Sequence, residues 1–149
     1  MSASQAIETV PMLIGGRWER GRSGRYGDVF NPSTGRAIAR VPLGNAEDVD
    51  RAVVAADKAL PAWAATPAVE RARVLFRFRE VLAAGADELA RLVTREHGKT
   101  LAESRASVQR GVEVVEFACG IPSLLMGQTL PDIARDVDCE TVRHPVGVC

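Results

Sequence analysis

The apolar positions of this chain change their period twice. Up to Val41 they come in short runs. Met12-Leu-Ile14 and Arg17-Trp18 flank Gly15-Gly16, which reads as a two-residue hairpin turn needing positive φ. Asp28-Val-Phe30 and Ala37-Ile-Ala-Arg-Val41 read as two further strands. Asn31-Pro-Ser-Thr-Gly35 lies between them as a turn, with proline fixing φ and glycine closing it. Residues 1–11 show no such pattern and read as a disordered leader.

From Asn45 the spacing becomes helical. Asn45 is a predicted N-cap, with acidic Glu47 and Asp48 in the first turn. Val49, Ala52, Val53, Ala56 and Leu60 form one stripe, and Pro61 predicts a break near Trp63. Thr66-Pro67 restarts a helix with proline at its first position. Val74, Leu75, Phe78 and Leu82 give that helix an apolar face. A third helix, Ala86 to His97, is expected to bury Leu89, Leu92 and Val93, and Gly98 suits the left-handed residue that closes it. The fourth runs from about Leu101 to Met126, with Val108, Val112, Val115 and Cys119 on one face. Gly120 and Pro122 should bend or interrupt it.

The period of two then returns. Asp136 to His144 reads as a strand, and residues 146–149 as the start of another. No turn, cap or polar tail ends that last strand. The chain is therefore expected to be the N-terminal part of a longer α/β protein.

Composition narrows the function classes. An apolar content of 46% and a charged content of 26% are ordinary for a globular chain. Basic and acidic residues balance at 19 each with no long one-sign block, which argues against a nucleic-acid surface. Aromatics at 5% are too sparse for a base-stacking platform. No apolar run approaches a membrane span, and no secretory pattern opens the chain. Cys119, Cys139 and Cys149 lack metal-ligand spacing and read as reduced thiols of a cytoplasmic protein.

Few residues suggest chemistry. Gly16 to Ser23 has the spacing of a phosphate-binding loop, but Arg22 stands where lysine is required. Trp18 and Glu19 fill the loop, and Gly24 and Gly27 oppose a following helix, so an ordinary turn is expected. No glycine-rich turn links a strand to a helix, so no dinucleotide site is assigned. His97 suits the C-terminal end of its helix, and His144 lacks an acidic neighbour. No cysteine has the basic setting of a reactive thiolate. No catalytic, cofactor-binding or metal-ligating residue is assigned. Arg110 is the exception of interest: it lies off the apolar stripe, in register with Val114 and Phe117 and beside Gly111. It is either a solvated arginine or a carboxylate-binding one, whose planar fork holds two oxygens at once.

Several segments taken together resemble the N-terminal portion of aldehyde dehydrogenases. They are Asn31-Pro-Ser-Thr-Gly35, Ala46-Glu-Asp-Val-Asp50, Ala62-Trp63, Glu70-Arg-Ala-Arg73, Glu96-His-Gly-Lys99 and His144-Pro-Val-Gly-Val148, in order over residues 12–149. His97 departs from the small polar residue common in that family. The stretch Arg110 to Gly127 resembles the CoA-acylating methylmalonate-semialdehyde branch more narrowly. The resemblance implies an incomplete aldehyde dehydrogenase fold: β-hairpins, a helical layer, and the beginning of a Rossmann-like sheet and an oligomerisation arm. Residues 12–135 would be hairpins and helices of the NAD-binding domain. Residues 136–145 would belong to the arm, and 146–149 to a truncated first strand of the NAD-binding core.

The implied chemistry is that of the branch. A cysteine thiolate attacks a semialdehyde, and an asparagine side chain with a backbone N–H holds the oxyanion. Hydride passes to NAD, the thioester loses CO₂, and the acyl group passes to CoA. Propionyl-CoA or acetyl-CoA results, in valine or inositol breakdown. By position, Arg110 would bind the distal carboxylate of the substrate. NAD-binding residues and the catalytic cysteine are expected outside this chain, so the chain alone is expected to be inactive. A homo-oligomer, dimer or tetramer, is implied, with neither nucleic acid nor membrane as partner. Two alternatives stand beside it: a general NAD(P)-dependent aldehyde dehydrogenase releasing free acid, and a short non-catalytic form that binds full-length subunits.

Overall fold

The computed structural model describes residues 7–149. The opening β unit holds β1 (Glu8–Thr9), β2 (Met12–Ile14), β3 (Arg17–Glu19), β4 (Tyr26–Asn31) and β5 (Arg36–Pro42). Gly15 and Gly16, at φ 58° and 76°, make the predicted two-residue turn and set Leu13 opposite Trp18. In the Asn31–Gly35 turn, Gly35 N–H donates to the Asn31 carbonyl at 2.8 Å and Ser33 N–H to Asn31 Oδ1 at 2.9 Å. β4 pairs antiparallel with β5 through a bulge at Val29/Phe30. The leader expectation needs correction. Residues 1–6 lie outside the described residues, but β1 runs parallel to β5, with Glu8 opposite Ala39. The free edge of β5 supplies the ladder partner that local sequence does not reveal.

Five helices follow. α1 (Ala46–Ala65) begins with a capping box: Asn45 Oδ1 accepts from Asp48 N–H, and Asp48 accepts from Asn45 N–H. Pro61 does not break α1, contrary to the pattern's expectation. It stands near the C-terminal end, where a missing N–H forfeits one bond of the ladder, and the helix stops only at Thr66. Pro67 is the N-cap of α2 (Ala68–Ala84) rather than its first residue; its carbonyl accepts from Glu70 and Arg71 N–H. α3 (Ala86–His97) has the predicted bounds and closes on Gly98 at φ 84°. A Cβ at Gly98 would stand 2.8 Å from Pro32 Cγ, so this helix end abuts the Asn31–Gly35 turn.

α4 spans Leu101–Cys119, ending at Gly120 rather than at Met126. The short α5 (Ile121–Leu124) carries Pro122 in its first turn, so Gly120 and Pro122 interrupt the helix as expected. A hairpin of β6 (Gln128–Ala134) and β7 (Val137–Thr141) comes last. β7 is shorter than the expected strand, and β6 forms where polar residues and Pro131 interrupt the apolar alternation. The boundary drawn between residues 135 and 136 falls inside the turn of this hairpin. Residues 146–149 are not a strand: they have no ladder partner among the described residues.

Packing is thin. α4 lies against α2 and α3. Among the described residues the buried apolar ones are Ala72, Ala90, Val112 and Cys119. Leu92, expected inside, is 43% exposed, and Ala90 takes the buried place on α3. Val74 and Phe78 of α2 also face outward. Leu75, Leu82, Leu89 and Val93 are half-buried around Ala72 and Ala90. Among the described residues the buried polar side chains, Asp48 and Ser104, are stitched in. Asp48 accepts from the backbone N–H groups of Arg22 and Asn45 and pairs with Arg51 at 3.4 Å. Ser104 shares a 2.7 Å hydrogen bond with Thr94 across α3 and α4.

Candidate functional site

The α3–α4 corner gathers the polar side chains of interest. Gly98 turns the chain, Lys99 follows, and Thr100 caps α4. His97, Lys99, Glu103, Ala106, Ser107 and Arg110 thereby line one shallow depression of about 340 Å³. Ser107 and Arg110 stand three residues apart on α4, hence on one side of the helix. Lys99 Nζ donates to Ser107 Oγ at 2.7 Å.

Glu103, the acidic residue of the depression, is committed elsewhere. Its Oε2 accepts from Thr100 Oγ1 at 2.8 Å and from Thr100 N–H at 2.9 Å. These bonds, the side-chain one foremost, hold its carboxyl below the usual range, with Lys99 and His97 adding attraction. Arg110 is exposed and enters no ion pair among the described residues. Arg79 pairs with Glu116 at 2.7 Å and Arg105 with Asp87 at 2.9 Å, whereas Arg73, Arg77, Arg91 and Arg95, like Arg110, enter no ion pair among the described residues. Beyond Arg110 the same face carries Val114 and Phe117, 69% and 70% exposed. These two residues lie beyond the depression, whose own lining is polar apart from Ala106. Gly111 borders open space: a Cβ there would meet nothing within 4 Å.

The other sequence candidates lie apart from this corner. The Gly16–Ser23 loop uses its donors internally: Arg22 N–H binds Asp48, the Arg22 guanidinium pairs with Glu47, and Ser23 Oγ donates to the Leu43 carbonyl. A strand, not a helix, follows it. His144 lies with Arg71, Leu125 and Arg143 in a separate depression. Cys119 is buried on α4, while Cys139 and Cys149 are exposed. Among the described residues no cluster of His, Cys, Asp or Glu could hold a metal. Nor do the described residues fit a dinucleotide. The starts of α1 and α4 are filled by their own carboxylates, Asp48 and Glu103, and α2 and α3 follow helices rather than strands. Sequence reading missed the Lys99–Ser107 bond and the Glu103 cap. The Thr100-x-x-Glu103 spacing of a capping box was the available signal.

Comparison with known proteins gives consistent matches. A sequence model described as the aldehyde dehydrogenase family matches residues 18–149. Malonate-semialdehyde dehydrogenase of Halalkalibacterium halodurans is 49% identical over 141 residues, covering 95% of this chain. Malonate-semialdehyde dehydrogenase 3 of Geobacillus kaustophilus is likewise 49% identical over 95% of the chain. The chain spans 29% of the length of either relative. A crystal structure from Sinorhizobium meliloti 1021, provisionally assigned as methylmalonate-semialdehyde dehydrogenase and complexed with NAD, superposes with a TM-score of 0.91 at 37% identity. The match covers 97% of this chain and 29% of that one. The methylmalonate-semialdehyde dehydrogenase of Oceanimonas doudoroffii follows with a TM-score of 0.83 and 40% identity, over 89% of this chain and 27% of that one.

Proposed function

This chain belongs to the aldehyde dehydrogenase family, and we propose that it is the N-terminal portion of a CoA-acylating (methyl)malonate-semialdehyde dehydrogenase. The observation that carries the reading is the place of Arg110: its guanidinium lines a depression with Lys99 and Ser107 and enters no ion pair among the described residues. A semialdehyde with a distal carboxylate matches that arrangement. The carboxylate accepts two parallel N–H bonds from the fork. The short carbon chain then lies toward Val114 and Phe117, and the aldehyde points away from the cation. The relatives' names, malonate-semialdehyde and methylmalonate-semialdehyde dehydrogenase, support this substrate class.

The rest of the proposal concerns the whole protein. NAD, when bound, supplies the hydride acceptor, and CoA accepts the acyl group; both are held by other parts of the whole protein. The protein works in the cytoplasm as a homo-oligomer. Support for assembly comes from the β6–β7 hairpin, which is exposed on every residue and presents Leu130, Ile133 and Val137.

The test is a substrate and product panel on the full-length protein. Malonate or methylmalonate semialdehyde should be oxidised in preference to propanal, and the product should be acyl-CoA. Free acid as the sole product, with propanal equally good, would assign a general aldehyde dehydrogenase instead.

A further inference from the structure

We propose that Ser107 is a specificity-determining residue whose neutral hydroxyl donates to the substrate carboxylate held by Arg110; this rests on the carboxylate-binding reading of Arg110 and names a further residue for it. Three observations carry it. Ser107 and Arg110 line one depression. They stand three residues apart on α4, and a long helical side chain leans over the turn before its own Cα, so the Arg110 fork is carried toward Ser107. Ser107 Oγ accepts from Lys99 Nζ at 2.7 Å, and its side chain makes no other hydrogen bond among the described residues.

The bond with Lys99 decides which way the hydroxyl works. An ammonium only donates, so Ser107 Oγ is the acceptor there and keeps its proton for a second partner. Inside a helix that partner is commonly a carbonyl one turn back, but here none takes it. A carboxylate that receives two parallel N–H bonds from the Arg110 fork still has lone pairs to spare, and one of them accepts the Ser107 O–H. Lys99 serves only to fix the hydroxyl: its charge is also drawn to Glu103, and it sets no preference of its own. Ser107 lies outside the segments that resemble aldehyde dehydrogenases at large, between residues 96–99 and the stretch 110–127. A plain aldehyde has no distal acceptor and gains nothing from the hydroxyl.

The test uses full-length protein and two substrates, malonate semialdehyde and propanal, with the ratio of their kcat/KM values as readout. Ser107→Ala should lower the ratio about tenfold, the low end for a hydrogen bond to a charged group. The loss should fall on malonate semialdehyde alone and appear in KM rather than in kcat, since the bond is made in ground and transition state alike. Ser107→Thr keeps the hydroxyl and should retain most of the ratio. Alanine is the better helix former at this exposed position, so Ser107→Ala should unfold at no lower temperature than the wild type. In an Arg110→Ala background, Ser107→Ala should change the ratio by less than about twofold, because the carboxylate is no longer held beside the hydroxyl. An unchanged ratio in Ser107→Ala overturns the inference, and so does an equal loss on both substrates. If Arg110→Ala still lowers the ratio, the carboxylate reading of Arg110 survives that result; if it does not, both readings fall together.

Discussion

At the scale of single residues, the β unit and the first helix are joined through Asp48. Its carboxylate accepts the Arg22 and Asn45 backbone N–H groups and faces Arg51, which also pairs with Glu19 of β3. Removing a buried acceptor leaves those donors unpaired, at about 1–3 kcal/mol. Asp48→Ala should therefore destabilise the full-length protein by about 2–3 kcal/mol in urea unfolding. Glu47→Ala, which loses only the exposed pair with Arg22, should stay within about 0.5 kcal/mol of wild type. Equal losses for the two variants would refute the role given to Asp48. The sequence named Asn45 as a cap but saw Asp48 only as a first-turn acid. Its bond to Arg22 spans 26 positions, a separation that no local spacing encodes.

At the scale of elements, local chemistry was legible and tertiary pairing was not. Gly15-Gly16, the Asn31–Gly35 turn and Gly98 were readable because positive φ or a fixed proline φ is a property of the residue itself. β1 and β6 were missed because each takes its ladder from a partner strand, and Pro61 misled because its cost is small near a helix end. The α4 start makes a testable element. Glu103 has its carboxyl lowered chiefly by the Thr100 hydroxyl and then by Thr100 N–H. A lowered folded pKa means that the cap's contribution is complete above the unfolded carboxyl pKa. It is lost as pH falls through the folded one. The first turn of α4 should thus lose amide protection, relative to intrinsic exchange rates, in the acid range below ordinary carboxylate titration. Glu103→Gln should abolish that acid-dependent step. Thr100→Ala should cost about 1 kcal/mol at neutral pH. A first turn whose protection ignores both substitutions would show that the box does not hold the helix.

At the scale of the whole molecule, the surface is larger than a compact fold of this mass would leave. The chain exposes 11641 Å² for a mass of 16.0 kDa, where a compact monomer of that mass would expose about 7,400 Å². All four phenylalanines and both tryptophans are exposed. Purified residues 1–149 should therefore bind an apolar dye and self-associate, and should form no NADH with malonate semialdehyde, CoA and NAD. A monodisperse, dye-silent species of 16.0 kDa would contradict that expectation. The sequence resemblance reached the family and singled out Arg110, because the motifs are short and contiguous. The surroundings of Arg110 were hidden, since they depend on how Gly98 turns α3 into α4. The role proposed for Arg110 is to grip the carboxylate of the substrate. Its most direct test is kcat/KM of full-length Arg110→Ala on malonate semialdehyde and on propanal. A loss of about 30-fold, roughly 2 kcal/mol, is expected, confined to the carboxylated substrate. Equal effects on both aldehydes, or no effect on either, would contradict it.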